Sequence, residues 1–179
     1  MKTTLSTVLS AASLRELPCL LIGGNAVIHL AFPRMTIDLD LLVPAEKQSQ
    51  WLDLMRELGY RFLHGTQVFA QFQPGTSGMA PVDLMFVDAA TWISLDSEAR
   101  QEIIADQPVR IPRVEHLIAL KLHAAASPHR DAREQDWEDI RQLVRACHLN
   151  PADEYFREII LRYGGQEAMN RILSYSNAP

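Results

Sequence analysis

Cysteine is scarce in this chain. Two residues of 179, Cys19 and Cys147, cannot build a disulfide framework, and both lie in apolar stretches that read as reduced core thiols. No apolar run approaches the 18 residues that cross a bilayer. Residues 1–15 also lack the basic start and unbroken apolar stretch of a signal peptide. The sequence therefore predicts a soluble, cytoplasmic protein with no membrane partner. Basic residues are outnumbered, 17 Lys and Arg against 22 Asp and Glu, for a formal charge of −5. That balance argues against bulk binding of nucleic acid and leaves a local basic groove open. Internal repeats, low-complexity tracts, a serine nucleophile elbow and a Gly-Lys-Ser/Thr phosphate loop are all missing from the sequence. His123 and His129 stand six apart, and neither has a Cys or His at zinc-ligand spacing.

What remains is ordinary globular composition, 47% apolar and 22% charged, at a length that suits one domain or one domain with a helical appendage. A helix is expected over 3–14, a buried strand over Cys19–Ile22, and a helix over 25–31 stopped by Pro33. Strands are expected over 36–43, 60–64, 67–72 and 81–87, with a helix over 46–58 between the first two. Pro74–Gly78 reads as a loop. From Asp88 onward the pattern turns helical, with helices over 113–126, 130–147, 151–163 and 166–175. Pro128, Asn150-Pro151 and Gly164-Gly165 separate those four helices. Strands mixed with helices, then helices alone, predict an α/β or α+β module with a helical C-terminal part.

The informative residues are acids placed where acids are disfavoured. Asp38 and Asp40 alternate inside Ile37-Asp38-Leu39-Asp40-Leu41-Leu42-Val43, although Asp is depleted in strands. Strand alternation points both carboxylates to one face and Ile37, Leu39 and Leu41 to the other. Two such carboxylates repel, and a hard divalent cation with oxygen ligands, such as Mg²⁺, compensates them. Asp83 repeats the anomaly in Pro81-Val82-Asp83-Leu84-Met85-Phe86-Val87. On neighbouring strands in register, the three would converge into a site for metal ions that activate an attacking oxygen and stabilise a leaving phosphate. Against this stands the plain alternative of a solvated pair on an exposed sheet face.

Gly23-Gly24 lies between a strand and a helix, fourteen residues before Asp38. Glycines there let backbone N–H groups approach a phosphate at the positive end of the helix, or they simply make a tight turn. Asn25 reads as a helix N-cap or a nucleotide contact. Arg34 and Thr36 are either phosphate contacts or surface residues. Lys121 is the one charge inside Leu117-Ile118-Ala119-Leu120-Lys121-Leu122. It either snorkels to solvent or reaches a triphosphate. Asp136 and Asp139 share one face of a helix whose apolar side is Trp137, Ile140, Leu143 and Val144, and read first as a solvated charged face.

Taken together, Leu21-Ile22-Gly23-Gly24-Asn25-Ala26, Arg34-Met35-Thr36-Ile37-Asp38-Leu39-Asp40 and Val82-Asp83-Leu84 resemble the nucleotidyltransferase superfamily of the DNA polymerase β type. The nearest likeness is to the AbiEii-like branch of bacterial toxins, over about residues 18–145. The branch tends to carry a helical Lys and then Arg-x-Lys-Asp-x-x-Asp-Ile/Leu. Lys121 and Arg133-Glu134-Gln135-Asp136-Trp137-Glu138-Asp139-Ile140 correspond, with Gln135 where the family favours Lys and Gly24 where many members have Ser.

The resemblance implies a small mixed sheet flanked by helices, with a transferase core over 1–112 and a helical region packed on it over 113–179. It implies Mg²⁺, with Mn²⁺ as substitute, on Asp38, Asp40 and Asp83. Those acids and Lys121 are the implied catalytic residues. Gly23, Gly24, Asn25, Arg34, Thr36, Lys121 and Asp136 are the implied nucleotide contacts. The implied reaction moves a nucleoside monophosphate from a nucleoside triphosphate to a hydroxyl of a tRNA, a protein or a small molecule. A toxin role would add an antitoxin partner. The alternative is a non-catalytic binding or regulatory protein that keeps the fold.

Overall fold

The computed structural model describes residues 2–127 and 132–176. Helix α1 (Lys2–Leu14) leads to β1 (Leu20–Leu21), α2 (Gly23–Leu30) and β2 (Leu39–Pro44). A 3-10 turn (Ala45–Lys47) and α3 (Gln48–Glu57) precede β3 (Tyr60–Gly65), β4 (Phe69–Pro74) and β5 (Val82–Val87). Then come α4 (Ala89–Ser97), β6 (Arg100–Ile104) and β7 (Gln107–Ile111), followed by α5 (Val114–Ala125), α6 (Arg133–Ala146) and α7 (Glu154–Ser176). Among the described residues no helix is long and apolar enough to cross a membrane.

The chain divides into two compact units. One comprises the chain up to Ala26 together with Met35–Pro112, and the other comprises Val27–Arg34 and the chain from Arg113 on.

The first unit is built on a five-stranded sheet in the order β1-β2-β5-β4-β3. Only β2 and β5 run parallel, joined by a crossover through α3, β3 and β4. Strand β2 reads Leu-Asp-Leu-Leu-Val-Pro and buries every residue except Asp40, as a central strand does. Strand β5 alternates, with Val82, Leu84 and Phe86 buried and Asp83, Met85 and Val87 half-buried. That alternation puts the apolar set on one face of the sheet and Asp83 on the other. Asp88 ends β5 and caps α4, its side chain accepting from the Thr91 backbone N–H at 2.9 Å.

In the second unit α5, α6 and α7 pack on one another through Leu117, Ile118, Leu122, Ile140, Leu143, Phe156 and Ile160. The break expected at Gly164-Gly165 is present inside α7, where Gly165 adopts φ 68° and ψ −167° and divides it into two helical segments.

Three expectations are corrected. The strand over 36–43 begins only at Leu39, so Thr36, Ile37 and Asp38 form the approach to it, and Ile37 is exposed rather than packed with Leu39 and Leu41. The helical reading from Asp88 onward missed the β6–β7 hairpin. Its two-residue turn, Ala105-Asp106, has φ of 52° and 63°. Tight hairpin turns usually signal this left-handed pair with Asn-Gly or Gly-Gly, so a turn without glycine was hidden. Cys19 and Cys147 are intermediate in exposure as whole residues rather than core residues, although the Cys19 thiol itself is enclosed. The expected break at Pro128, and His129 and Arg130 beside it, lie outside the described residues.

Candidate active site

The acids converge. In the parallel β2–β5 pair Asp40 stands directly opposite Asp83, and Asp38 joins them from the segment leading into β2. One carboxylate oxygen from each of Asp38, Asp40 and Asp83 lies within 4.8 Å of the others, and all three residues are half-buried. Opposite oxygens on one Mg²⁺ stand about 4.2 Å apart, twice a bond of about 2.1 Å. The trio is thus within a small side-chain rotation of holding one ion, and its all-carboxylate donor set suits a hard divalent cation.

Local structure explains why Asp38 reaches the site without being in the strand. The Leu39 backbone N–H donates to the Pro81 carbonyl at 2.9 Å, which starts the ladder one residue after Asp38. Asn25 donates its side-chain amide to the Asp38 backbone carbonyl at 2.8 Å. Thr36 donates its hydroxyl to Asp38 Oδ1 at 2.9 Å. Two residues proposed as nucleotide contacts therefore hold the Asp38 backbone and carboxylate. The approach to β2 is thus tied at the Asp38 carbonyl, at the Asp38 carboxylate and at the Leu39 N–H.

Gly23, where α2 begins after β1, closes the site. Its φ is 62°, and a Cβ on it would overlap the Asp40 carboxylate. Glycine is thus required twice over, for the left-handed backbone and for the close approach. The Ile22 N–H donates to the Asp40 carbonyl at 3.1 Å, which sets that approach. Gly23 opens α2 with its left-handed backbone, and Gly24 follows in the first turn of that helix.

One neighbour of the trio had no signal in the sequence. Gln71 on β4 stands opposite Asp83 and donates its side-chain amide to Asp83 Oδ2 at 3.1 Å. Asp40, Asp83 and Gln71 consequently form one row across three strands. Only the register, which the sequence does not print, reveals it.

No protein-family model matches the chain, and no curated protein matches it by sequence. Solved structures do. The chain is similar to ANT(2'')-Ia in complex with adenylyl-2''-tobramycin, with a TM-score of 0.68 and 21% identity over 93% of this chain and 98% of that one. It is similar to the lincosamide antibiotic adenylyltransferase LnuA in its lincomycin-bound form, with a TM-score of 0.59 and 14% identity over 80% and 96% of the two chains. An antigenic nucleotidyltransferase-like protein from Paracoccidioides brasiliensis gives a TM-score of 0.58 and 15% identity over 95% and 92%. The chain has the nucleotidyltransferase fold.

Within the nucleotidyltransferase fold, a second group of expected site residues forms its own cluster in the helical unit. Lys121 Nζ lies 2.8 Å from Asp136 Oδ1 and 2.7 Å from Asp139 Oδ2. Arg34 forks onto both oxygens of Asp139, at 2.8 and 2.9 Å. Gln135, exposed on α6, donates to Asp139 Oδ1 at 3.0 Å. Asp136 and Asp139 are 1% and 0% exposed, so the solvated-face reading of these two acids is overturned. Lys121 does not snorkel. At 12% side-chain exposure it lies between two carboxylates, where two cations balance two anions.

Proposed function

We propose that the chain is a metal-dependent nucleotidyltransferase that moves a nucleoside monophosphate from a nucleoside triphosphate to an acceptor hydroxyl. The observation that carries this reading is the convergence of Asp38, Asp40 and Asp83 within 4.8 Å, on a fold whose solved relatives include ANT(2'')-Ia and LnuA. A bound Mg²⁺ or Mn²⁺ supplies positive charge that binds the triphosphate and offsets the charge developing on the leaving pyrophosphate.

The chain's own residues do the rest. Asp38, Asp40 and Asp83 hold the cation, with Thr36 and Asn25 fixing Asp38 against the approach to β2. Gly23 and Gly24 leave the backbone open at the first turn of α2, where N–H groups and the helix dipole favour phosphate. Asp83 draws the proton from the acceptor hydroxyl. The acceptor oxygen forms its bond to the α-phosphorus, the bond from that phosphorus to the bridging oxygen breaks, and pyrophosphate leaves. The triphosphate role expected of Lys121 requires it to exchange Asp136 or Asp139 for a phosphate. Arg34 would have to leave Asp139 in the same way, and Asp136 would contribute through Lys121.

For the acceptor, a small-molecule hydroxyl is the favoured class. ANT(2'')-Ia and LnuA, which this chain covers over 98% and 96% of their lengths, carry an adenylylated antibiotic and an antibiotic in their structures. The toxin branch rests on likeness of sequence segments, among them those around Lys121 and Asp136, and an antitoxin partner would follow only from a toxin role. Incubation with each α-labelled nucleoside triphosphate and Mg²⁺ tests the reading, with hydroxylated small molecules, tRNA and protein as separate acceptors. Label on the small-molecule fraction supports it in full. Label on tRNA or protein moves the acceptor to the toxin-like class, and no label with any acceptor favours the non-catalytic alternative.

A further inference from the structure

The row Asp40–Asp83–Gln71 carries more than a cross-strand contact. Gln71 lies on β4 between Ala70 and Phe72, both buried on the opposite face, so strand alternation commits its side chain to the acidic face. There it stands directly opposite Asp83 and places an amide donor on Asp83 Oδ2 at 3.1 Å. A carboxylate rotates freely about its last bond unless something holds it. Each metal-binding oxygen must also arrive at a defined place, because Mg²⁺ demands near-ideal octahedral geometry.

The chemistry of the donor matters as much as its position. A lysine or arginine on this row would neutralise Asp83 and compete with the cation for the site. An amide donates a hydrogen bond without adding charge, so it orients the carboxylate and leaves its negative charge for the metal. Asp38 is held by the same device from the other side, through the Thr36 hydroxyl.

We propose that Gln71 is a positioning residue for the metal centre, fixing the rotation of the Asp83 carboxylate so that Asp38, Asp40 and Asp83 present their oxygens together. This rests on the metal-dependent reading above. Removing a hydrogen-bond partner of a metal ligand typically weakens metal affinity by about 10- to 100-fold.

The test is Mn²⁺ binding by electron paramagnetic resonance, measured without nucleotide on the full chain, for wild type, Gln71→Met, Gln71→Asn and Asp83→Asn. Gln71→Met keeps the length and removes the donor, whereas Gln71→Asn keeps the amide and draws it out of reach. Thermal unfolding in EDTA reports folding separately from binding. The expected result is Mn²⁺ affinity about tenfold weaker in both Gln71 variants, near-complete loss in Asp83→Asn, and metal-free melting temperatures close to wild type. Wild-type affinity in both Gln71 variants, with loss in Asp83→Asn, overturns the positioning role and leaves the metal centre standing. Unchanged Mn²⁺ binding in Asp83→Asn, or no binding to wild type, overturns the metal centre and the positioning role together. Should Gln71→Met melt far lower in EDTA, Gln71→Asn gives the decisive reading.

Discussion

Asp40 and Asp83 face each other across the parallel β2–β5 pair, like charges on one rung of a sheet. Like charges placed directly opposite one another destabilise a sheet. Asp83→Asn removes one charge and keeps the shape. In EDTA this variant is expected to be more stable than wild type by about 0.5 kcal/mol, while losing transfer activity and Mn²⁺ binding. Urea unfolding in EDTA beside a Mn²⁺ titration checks both halves. Equal or lower stability would show that the pair is not repulsive in the folded chain.

Gly23→Ala meets two obstacles at once. The backbone has φ 62°, and the new methyl would overlap the Asp40 carboxylate. The left-handed conformation alone costs an L-residue about 1–2 kcal/mol, and the methyl additionally displaces a proposed metal ligand. The variant is expected to lose both stability and Mn²⁺ affinity. Gly59→Ala, at φ 80° with open space around it, should lose stability alone, so Mn²⁺ affinity separates the two causes.

Lys121→Met leaves Asp136 and Asp139, both nearly inaccessible, with one cation fewer. Removing one partner of a buried ionic cluster typically costs about 3–5 kcal/mol. The expected outcome is a drop of about 3 kcal/mol in urea unfolding, with no nucleotide present. A stability equal to wild type, with weakened nucleotide affinity, would instead show that Lys121 serves the triphosphate and that its ion pairs are incidental.

Burial pushes the Cys19 thiol up to about 12 from an ordinary value of 9.0. The folded thiol is therefore almost fully protonated at pH 8 and should resist thiol reagents until urea unfolds the chain. The sign of the linkage follows. Above pH 9 the unfolded chain releases a proton that the folded chain keeps, so this contribution to stability is full below pH 9 and is lost as pH rises toward 12. A Cys19→Ala variant should lose that decline. Prompt labelling of Cys19 in the native chain would contradict the assignment.

Much of the site was legible because charge stands out in apolar strands. Asp40 and Asp83 needed an explanation from sequence alone, and Gly23-Gly24 before them narrowed the chemistry. Asp38 was assigned the right neighbours for a partly wrong reason. It reaches the trio from outside β2, held by Thr36 and Asn25. Gln71 was invisible because a glutamine on an outward-facing strand position means nothing until the register puts it opposite Asp83. The Lys121–Asp136–Asp139–Arg34 cluster was invisible for a related reason. Charges spaced along helices look solvated, and only tertiary packing shows that two of them are buried and paired. The β6–β7 hairpin was lost at Ala105-Asp106, where the turn adopts left-handed geometry without the residue that announces it.

Under the proposed function, Asp38, Asp40 and Asp83 hold the metal ion for nucleotidyl transfer. The most direct test measures release of pyrophosphate and label transfer from an α-labelled nucleoside triphosphate to a hydroxylated acceptor, across a Mg²⁺ titration. Wild type is compared with Asp40→Asn, and both are shown by circular dichroism to be folded. Transfer is expected to rise with Mg²⁺, disappear in EDTA, and fall at least about a thousandfold in Asp40→Asn, a loss of about 4 kcal/mol in transition-state stabilisation. Transfer that persists in EDTA, or in Asp40→Asn at the wild-type rate, would contradict the proposed function.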